Sequence, residues 1–158
     1  MVVHPIDAVF DENSTVLILG SFPSVKSREE GFFYGHPQNR FWRVIAALFD
    51  CDVPKTIDGK KRLLLKSNVA VWDVIYSCDI CGSSDSSIKN VVPNDILPLL
   101  DNGKITKIFT NGKTADRLYK KYIFPKTNIP AFCLPSTSPA NARVSLDELI
   151  EIWSQIKE

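Results

Sequence analysis

The segment Gly31-Phe32-Phe33-Tyr34-Gly35-His36-Pro37-Gln38-Asn39-Arg40-Phe41-Trp42 sets three consecutive aromatic side chains beside a Gly-His-Pro turn and a run of amide and guanidinium groups. Flat apolar faces next to hydrogen-bonding groups suit a planar heterocycle. The same residues also have a purely structural account, with the aromatics as core, Asn39 as a helix N-cap and Pro37 as a turn former. His36 divides in the same way between donating to a bound base and stabilising its own turn, and the turn is the simpler role.

Other familiar chemistries lack their residues. Gly20-Ser21-Phe22-Pro23-Ser24 contains one glycine, so it is neither a dinucleotide fingerprint nor a phosphate loop, and Gly112-Lys113-Thr114 lacks the upstream glycine that a phosphate loop needs. Only His4 and His36 are available to a Ser-His-Asp triad, and no serine sits in a nucleophile elbow. Cys78-Asp-Ile-Cys81 has the spacing of a zinc knuckle, but Cys51 and Cys133 supply no second one. No metal and no cofactor are expected, and the thiols read as mostly buried.

The elements that must position these groups are set by size and pattern. With 158 residues, 44% of them hydrophobic and 23% charged, the chain reads as one domain over residues 1–158 with a core of its own. Its apolar runs are too short to cross a bilayer and its first residues show no signal pattern, so a cytoplasmic monomer is expected. Thr15–Gly20, Val69–Val74, Ile105–Phe109 and Ala131–Leu134 read as buried strands, because each is short, apolar and rich in β-branched or aromatic residues. Between them, Phe41, Ile45, Leu48 and Phe49, and then Ala115, Leu118, Tyr119 and Tyr122, recur at helical spacing. Ser145 and Glu148 have capping-box spacing ahead of the stripe Leu146, Leu149, Ile150, Trp153 and Ile156. Strands alternating with helices imply a three-layer α/β/α domain around a parallel sheet, with ligands bound at the carboxyl ends of its strands. The loops to examine are then Gly20 to Asn39, Asp73 to Ser77, Thr110 to Lys113 and Pro135 to Arg143.

Three segments, Gly20-Ser21-Phe22-Pro23-Ser24, His36-Pro37-Gln38-Asn39-Arg40-Phe41-Trp42 and Leu134-Pro135-Ser136-Thr137-Ser138-Pro139-Ala140-Asn141-Ala142-Arg143, together resemble the uracil-DNA glycosylase superfamily in order and spacing. The likeness runs from Val16 to Trp153 and is nearest to the mismatch-specific and hypoxanthine-directed branches. It implies a four-stranded parallel sheet, with DNA bound across the carboxyl ends of the strands. It also implies base contacts from Gly20, Ser21 and Phe22, a stacking role for Tyr34, base reading at Asp73 and catalysis by Asn39. A DNA wedge would come from Pro135, Ser136, Thr137, Ser138, Pro139 and Asn141, with Arg143 or Arg40 on a phosphate. Two departures stand out. Phe22 occupies the position where uracil-removing members carry the Asp or Asn that holds the hydrolytic water, a loss shared with the hypoxanthine branch. Leu134 replaces the polar residue that usually precedes the Pro-Ser of the wedge.

The resemblance therefore implies a monofunctional glycosylase that removes a deaminated base, hypoxanthine first, from DNA. A binding-only relative, a uracil- or mismatch-directed enzyme, a flavodoxin-type nucleotide module and a redox or zinc role for Cys78 and Cys81 remain as alternatives. Net charge fits DNA better than its total of +1 suggests. Residues 26–126 hold 17 of the 19 basic and 11 of the 18 acidic residues, a net +6 between ends of −3 and −2. Modest, salt-sensitive binding with few phosphate contacts follows.

Overall fold

The computed structural model describes residues 1–158. In order the chain forms β1 (Val2–Val3), β2 (Val16–Gly20), α1 (Val25–Glu30), α2 (Phe41–Leu48), α3 (Ile57–Lys66), β3 (Val69–Asp73), β4 (Ile75–Asp79), β5 (Lys89–Pro93), α4 (Leu97–Leu100), β6 (Lys107–Asn111), α5 (Lys113–Tyr122), α6 (Phe124–Thr127), β7 (Ala131–Leu134) and α7 (Leu146–Trp153). The four strands expected from apolar runs pair in the order β3-β2-β6-β7, all parallel. Successive residues of β2 point to opposite faces, as the two-residue period of a strand requires. Val16 and Ile18 enter a core shared with α2, α3 and α7, while Leu17 and Leu19 enter one shared with α4 and α5. The result is the three-layer α/β/α arrangement expected from the alternation of strands and helices.

Local signals mark the helix ends. Ser145 accepts from the Glu148 backbone N–H at 3.1 Å and the Glu148 carboxylate accepts from the Ser145 N–H at 3.3 Å, closing the capping box at the start of α7. Trp153 on that helix packs edge-on against Phe41 of α2, with ring centres 5.9 Å apart, joining the two helices.

Several expectations need correction. The third strand of the sheet runs Lys107–Asn111 rather than Ile105–Phe109, so Thr110 and Asn111 belong to β6 and Lys113 to α5 instead of a loop, and the stretch from Gly20 to Asn39 contains α1. Asp73 to Ser77 is not a loop: after the single residue Val74 the chain enters β4, which pairs antiparallel with β5 and with β1 in a second, three-stranded sheet. Tyr76 in β4 is exposed and β5 is nowhere fully buried, so these strands carry no continuous apolar run to reveal them. The thiols are also not mostly buried, since Cys78 alone lies in the core while Cys51, Cys81 and Cys133 are exposed. No group of three or more His, Cys, Asp or Glu side chains is arranged to hold a metal. No helix is long and apolar enough to cross a membrane.

Candidate active site

Parallel register brings the strand ends into one row. Gly20 lies opposite Asp73, Leu19 opposite Thr110, and Asn111 opposite Leu134. Beyond that row opens a cleft of about 380 Å³. Gly20, Ser21, Phe22, Tyr34, Asn39, Asp73, Ser136, Thr137, Ser138 and Pro139 all line it, so four distant stretches of sequence meet there. Pro135, Asn141 and Arg143 do not.

The floor is closely packed. Asp73 sits so near Gly20 that a Cβ at position 20 would lie 2.4 Å from Asp73 Oδ1 and 3.1 Å from the Tyr34 hydroxyl, which is why glycine ends β2. Asp73 Oδ2 is 2.7 Å from His4 Nε2, and both side chains are buried, at 5% and 2% exposure. The carboxylate makes no cap to the following turn; Asn94 braces it instead by donating to the Asp73 and Ile75 carbonyls. Tyr34 adopts a left-handed backbone, with φ of 52°, and lays its ring on Phe41 at 4.0 Å between centres. One face of Tyr34 is thus covered by Phe41. Its buried hydroxyl has no hydrogen-bond partner, and burial first, then the Asp73 charge, push its pKa well above the ordinary phenol value. Phe22 is buried and meets the His4 ring edge-on at 5.8 Å, with the Arg28 guanidinium 5.6 Å from its centre on the other flank.

Asn39 holds the turn into α2, its Oδ1 accepting from the Phe41 N–H at 2.9 Å. Arg40 rather than Asn39 occupies the N-cap position of α2, so the expected capping role reduces to this one turn bond; the second lone pair of the carbonyl oxygen and the two amide N–H donors leave the side chain able to bind a water. His36 Nδ1 accepts from the Gln38 N–H at 3.1 Å, the structural role favoured for it, and the residue lines the cleft.

The Pro135–Asn141 loop is held from inside. Arg40, a candidate for phosphate binding, is turned inward instead: its guanidinium donates to the carbonyls of Val144, Ser138 and Asn141, the latter two at 3.3 and 2.9 Å. Its backbone N–H adds a bond to the Thr137 carbonyl at 3.0 Å. Asn111 and Thr137 exchange two hydrogen bonds, at 3.0 and 3.1 Å, and Trp153 Nε1 donates to the Pro135 carbonyl at 2.9 Å. Asn141 itself donates to the Ser136 carbonyl, making it an internal brace of the loop. Arg143 is exposed and remains the free cation beside it.

Sequence reasoning missed His4, Asn111, Ser83 and Asp85. Asn111 was recoverable, since it ends β6 as Asp73 ends β3. Ser83 and Asp85 lie in the Ser-rich connection between β4 and β5, which folds over the cleft because Val25 donates to Ser83, Ser21 to Asp85 and Arg28 to the Gly82 carbonyl. Burial first, with the Asp73 charge adding, raises the Asp85 carboxyl pKa against the opposing bond from Ser21. Nothing in the sequence singles out His4, which is 69 positions from its partner.

The sequence pattern of the Uracil DNA glycosylase superfamily matches residues 8–157. A Methanosarcina acetivorans protein named hypoxanthine DNA glycosylase is 34% identical over 99% of this chain and 98% of its own length. A Methanosarcina barkeri protein of the same name is 35% identical over 66% of this chain and 68% of its own. The solution NMR structure of a Methanosarcina acetivorans protein, provisionally described as a uracil DNA glycosylase, superposes with a TM-score of 0.80 at 30% identity over 97% of both chains.

Proposed function

The chain belongs to the uracil DNA glycosylase superfamily, and from that premise we propose that it is a monofunctional DNA glycosylase that hydrolyses the N-glycosidic bond of a deaminated base, hypoxanthine, in DNA. The observation that carries the substrate is Asp73, a buried acceptor on the floor of a cleft whose other walls are an aromatic ring and a hydroxyl-rich loop. Hypoxanthine presents an N1–H donor beside an O6 acceptor. Asp73 Oδ1 accepts the first. The backbone N–H groups of Ser21 and Phe22, which donate to no protein acceptor, meet the second.

A base inside a duplex must first leave the stack, at a cost of about a few kcal/mol. Stacking on Tyr34 returns roughly 1–3 kcal/mol. The Pro135–Asn141 loop, braced by Arg40 and Asn111, is stiff enough to occupy the vacated space. Cleavage proceeds through a sugar cation with charge developing on the departing base, so hydrogen bonds that strengthen with that charge lower the barrier. Asn39 orients the attacking water, and no strong general base is required. Working as a monomer on DNA in base excision repair completes the proposal.

The test is a set of duplexes holding hypoxanthine, xanthine, uracil or a thymine mismatch, incubated with excess protein and then alkali to reveal abasic sites. Strand breaks at hypoxanthine, ahead of uracil, are expected. Binding without breaks at any base would replace this reading with that of an inactive DNA-binding relative.

A further inference from the structure

Asp73 presents two oxygens with different fates. Oδ2 meets His4 Nε2 at 2.7 Å, whereas Oδ1 has no protein hydrogen-bond donor and stands over Gly20 at the cleft floor. The polarity of the first contact is fixed by the other side of the imidazole ring. His4 Nδ1 accepts the Ile6 backbone N–H at 3.2 Å, so Nε2 carries the proton and donates to the carboxylate. Ile6 is itself held at its carbonyl by Trp72 Nε1 at 3.2 Å. Trp72, Phe33 and Phe22 then wall the imidazole ring, with centres 6.3, 6.0 and 5.8 Å away. Backbone pairing delivers the histidine: β1 pairs with β4, and the next bond, from the His4 N–H to the Tyr76 carbonyl at 2.7 Å, carries it to the end of β3.

We propose that His4 is a positioning residue that locks the Asp73 carboxylate so that Oδ1 serves only as an acceptor, making the pocket selective for the N–H of a lactam edge. The inference rests on the reading that Asp73 faces the extruded base. Hypoxanthine, xanthine and uracil carry a ring N–H beside a carbonyl. Adenine and cytosine carry a bare ring nitrogen beside an amino group, the reverse pattern. A fixed carboxylate oxygen accepts from the first edge and repels the lone pair of the second. A carboxyl group that held a proton on Oδ1 could donate to the ring nitrogen of adenine and lose that distinction. His4 thus enforces the choice of a lactam edge over the edges of adenine and cytosine from behind the pocket, without touching the base.

The experiment compares single-turnover base release by wild type, His4→Phe, His4→Gln, His4→Asn, Asp73→Asn and the His4→Phe/Asp73→Asn double variant, on duplexes holding hypoxanthine or adenine. Affinity for an abasic duplex serves as the control. His4→Phe should slow hypoxanthine release by about 10- to 100-fold, the scale of one charge-assisted hydrogen bond, and narrow the preference over adenine. Affinity for the abasic duplex, which presents no base to read, should stay within about twofold. His4→Gln, whose amide reaches the Nε2 position, should recover to within about threefold of wild type, while Asn, a methylene shorter, should not. In the Asp73→Asn background, His4→Phe should change the rate by less than about twofold, because no carboxylate is left to orient. Full activity of His4→Phe, equal losses for Gln and Asn, or an undiminished loss in the Asp73→Asn background would overturn the assignment. If His4→Phe does not fold, as judged by thermal melting, the Gln and Asn pair decides. A wild-type protein that releases no lactam base overturns the reading beneath the proposal, whereas an active wild type with indifferent His4 variants overturns the role of His4 alone.

Discussion

The floor of the cleft and the loop at its rim are built on opposite plans. On the floor, side chains do the work: Asp73, His4, Tyr34 and Gly20 are packed against one another, and the polar groups are few and individually directed. In the Pro135–Asn141 loop the backbone is gathered instead, its carbonyls collected by Arg40, Asn141 and Trp153 while Pro139 and Ala140 stay exposed. Fixed side chains suit discrimination between bases, because a misplaced acceptor is unforgiving. A stiff loop with a free outer surface suits pressing into DNA without reading it. On the proposed function, base choice and rate belong to the floor and affinity to the rim.

The sharpest way to break this division is at Asn39. Asn39→Ala should lower single-turnover release by about 100-fold, in the range for loss of one transition-state hydrogen-bonding group, with DNA affinity nearly unchanged. Asn39→Ser, which keeps an oxygen for the Phe41 N–H, should restore the melting temperature but not the rate. Rates equal to wild type for both variants would remove Asn39 from the chemistry and leave it only its turn bond.

Arg40→Ala tests the rim. Losing the guanidinium strands the carbonyls of Ser138, Asn141 and Val144, and about 2–4 kcal/mol of stability should go with it, read as a melting temperature lowered by roughly 5–15 °C. Affinity for DNA should fall as the loop loosens. The preference for hypoxanthine over adenine should survive, and its loss would blur the separation between the two regions. A smaller effect is expected at Arg143, which is exposed beside the same loop. Arg143→Ala should weaken DNA binding a few-fold and reduce the slope of log affinity against log salt by about one.

The smallest effect lies at Asp85. Burial and the Asp73 charge raise its carboxyl pKa above the ordinary value, so the folded state disfavours its charged form. Because the side chain keeps an exposed surface, solvent screening keeps the gain small, and Asp85→Asn should raise the melting temperature at neutral pH by no more than about 1 °C. The gain should be complete above the raised folded-state value, shrink as pH falls through it, and vanish below the ordinary aspartate range. Melting curves between pH 3 and 8, a window of about five units around that range, would show the sign.

Much of this molecule is legible in its sequence, for reasons that differ by element. Val16–Gly20 and Val69–Asp73 are buried on both faces, so their composition alone marks them as strands, and the Ser145–Glu148 box is complete within four residues. The second sheet was not legible. β1 is two residues long and β5 is largely exposed, so pairing rather than composition defines them. Reading Asp73 to Ser77 as a loop followed from that gap, since a strand beginning one residue after another ends leaves no turn signal. The arginines show the same limit. Arg40 and Arg143 are equally plausible phosphate ligands in a linear sequence, and only folding shows that Arg40 faces carbonyls some 98 to 104 residues away.

By itself the sequence determined the four strands of the parallel sheet, helices α2, α5 and α7 and the motif segments beyond the strand ends, because burial pattern, caps and motif residues act over a few neighbouring positions. Tertiary structure decided which oxygen of Asp73 is free, which arginine is engaged and how His4 reaches the end of β3. Those outcomes depend on hydrogen-bond direction and approach between segments tens of residues apart, and the distance and angle terms that set them exist only once the chain has closed on itself.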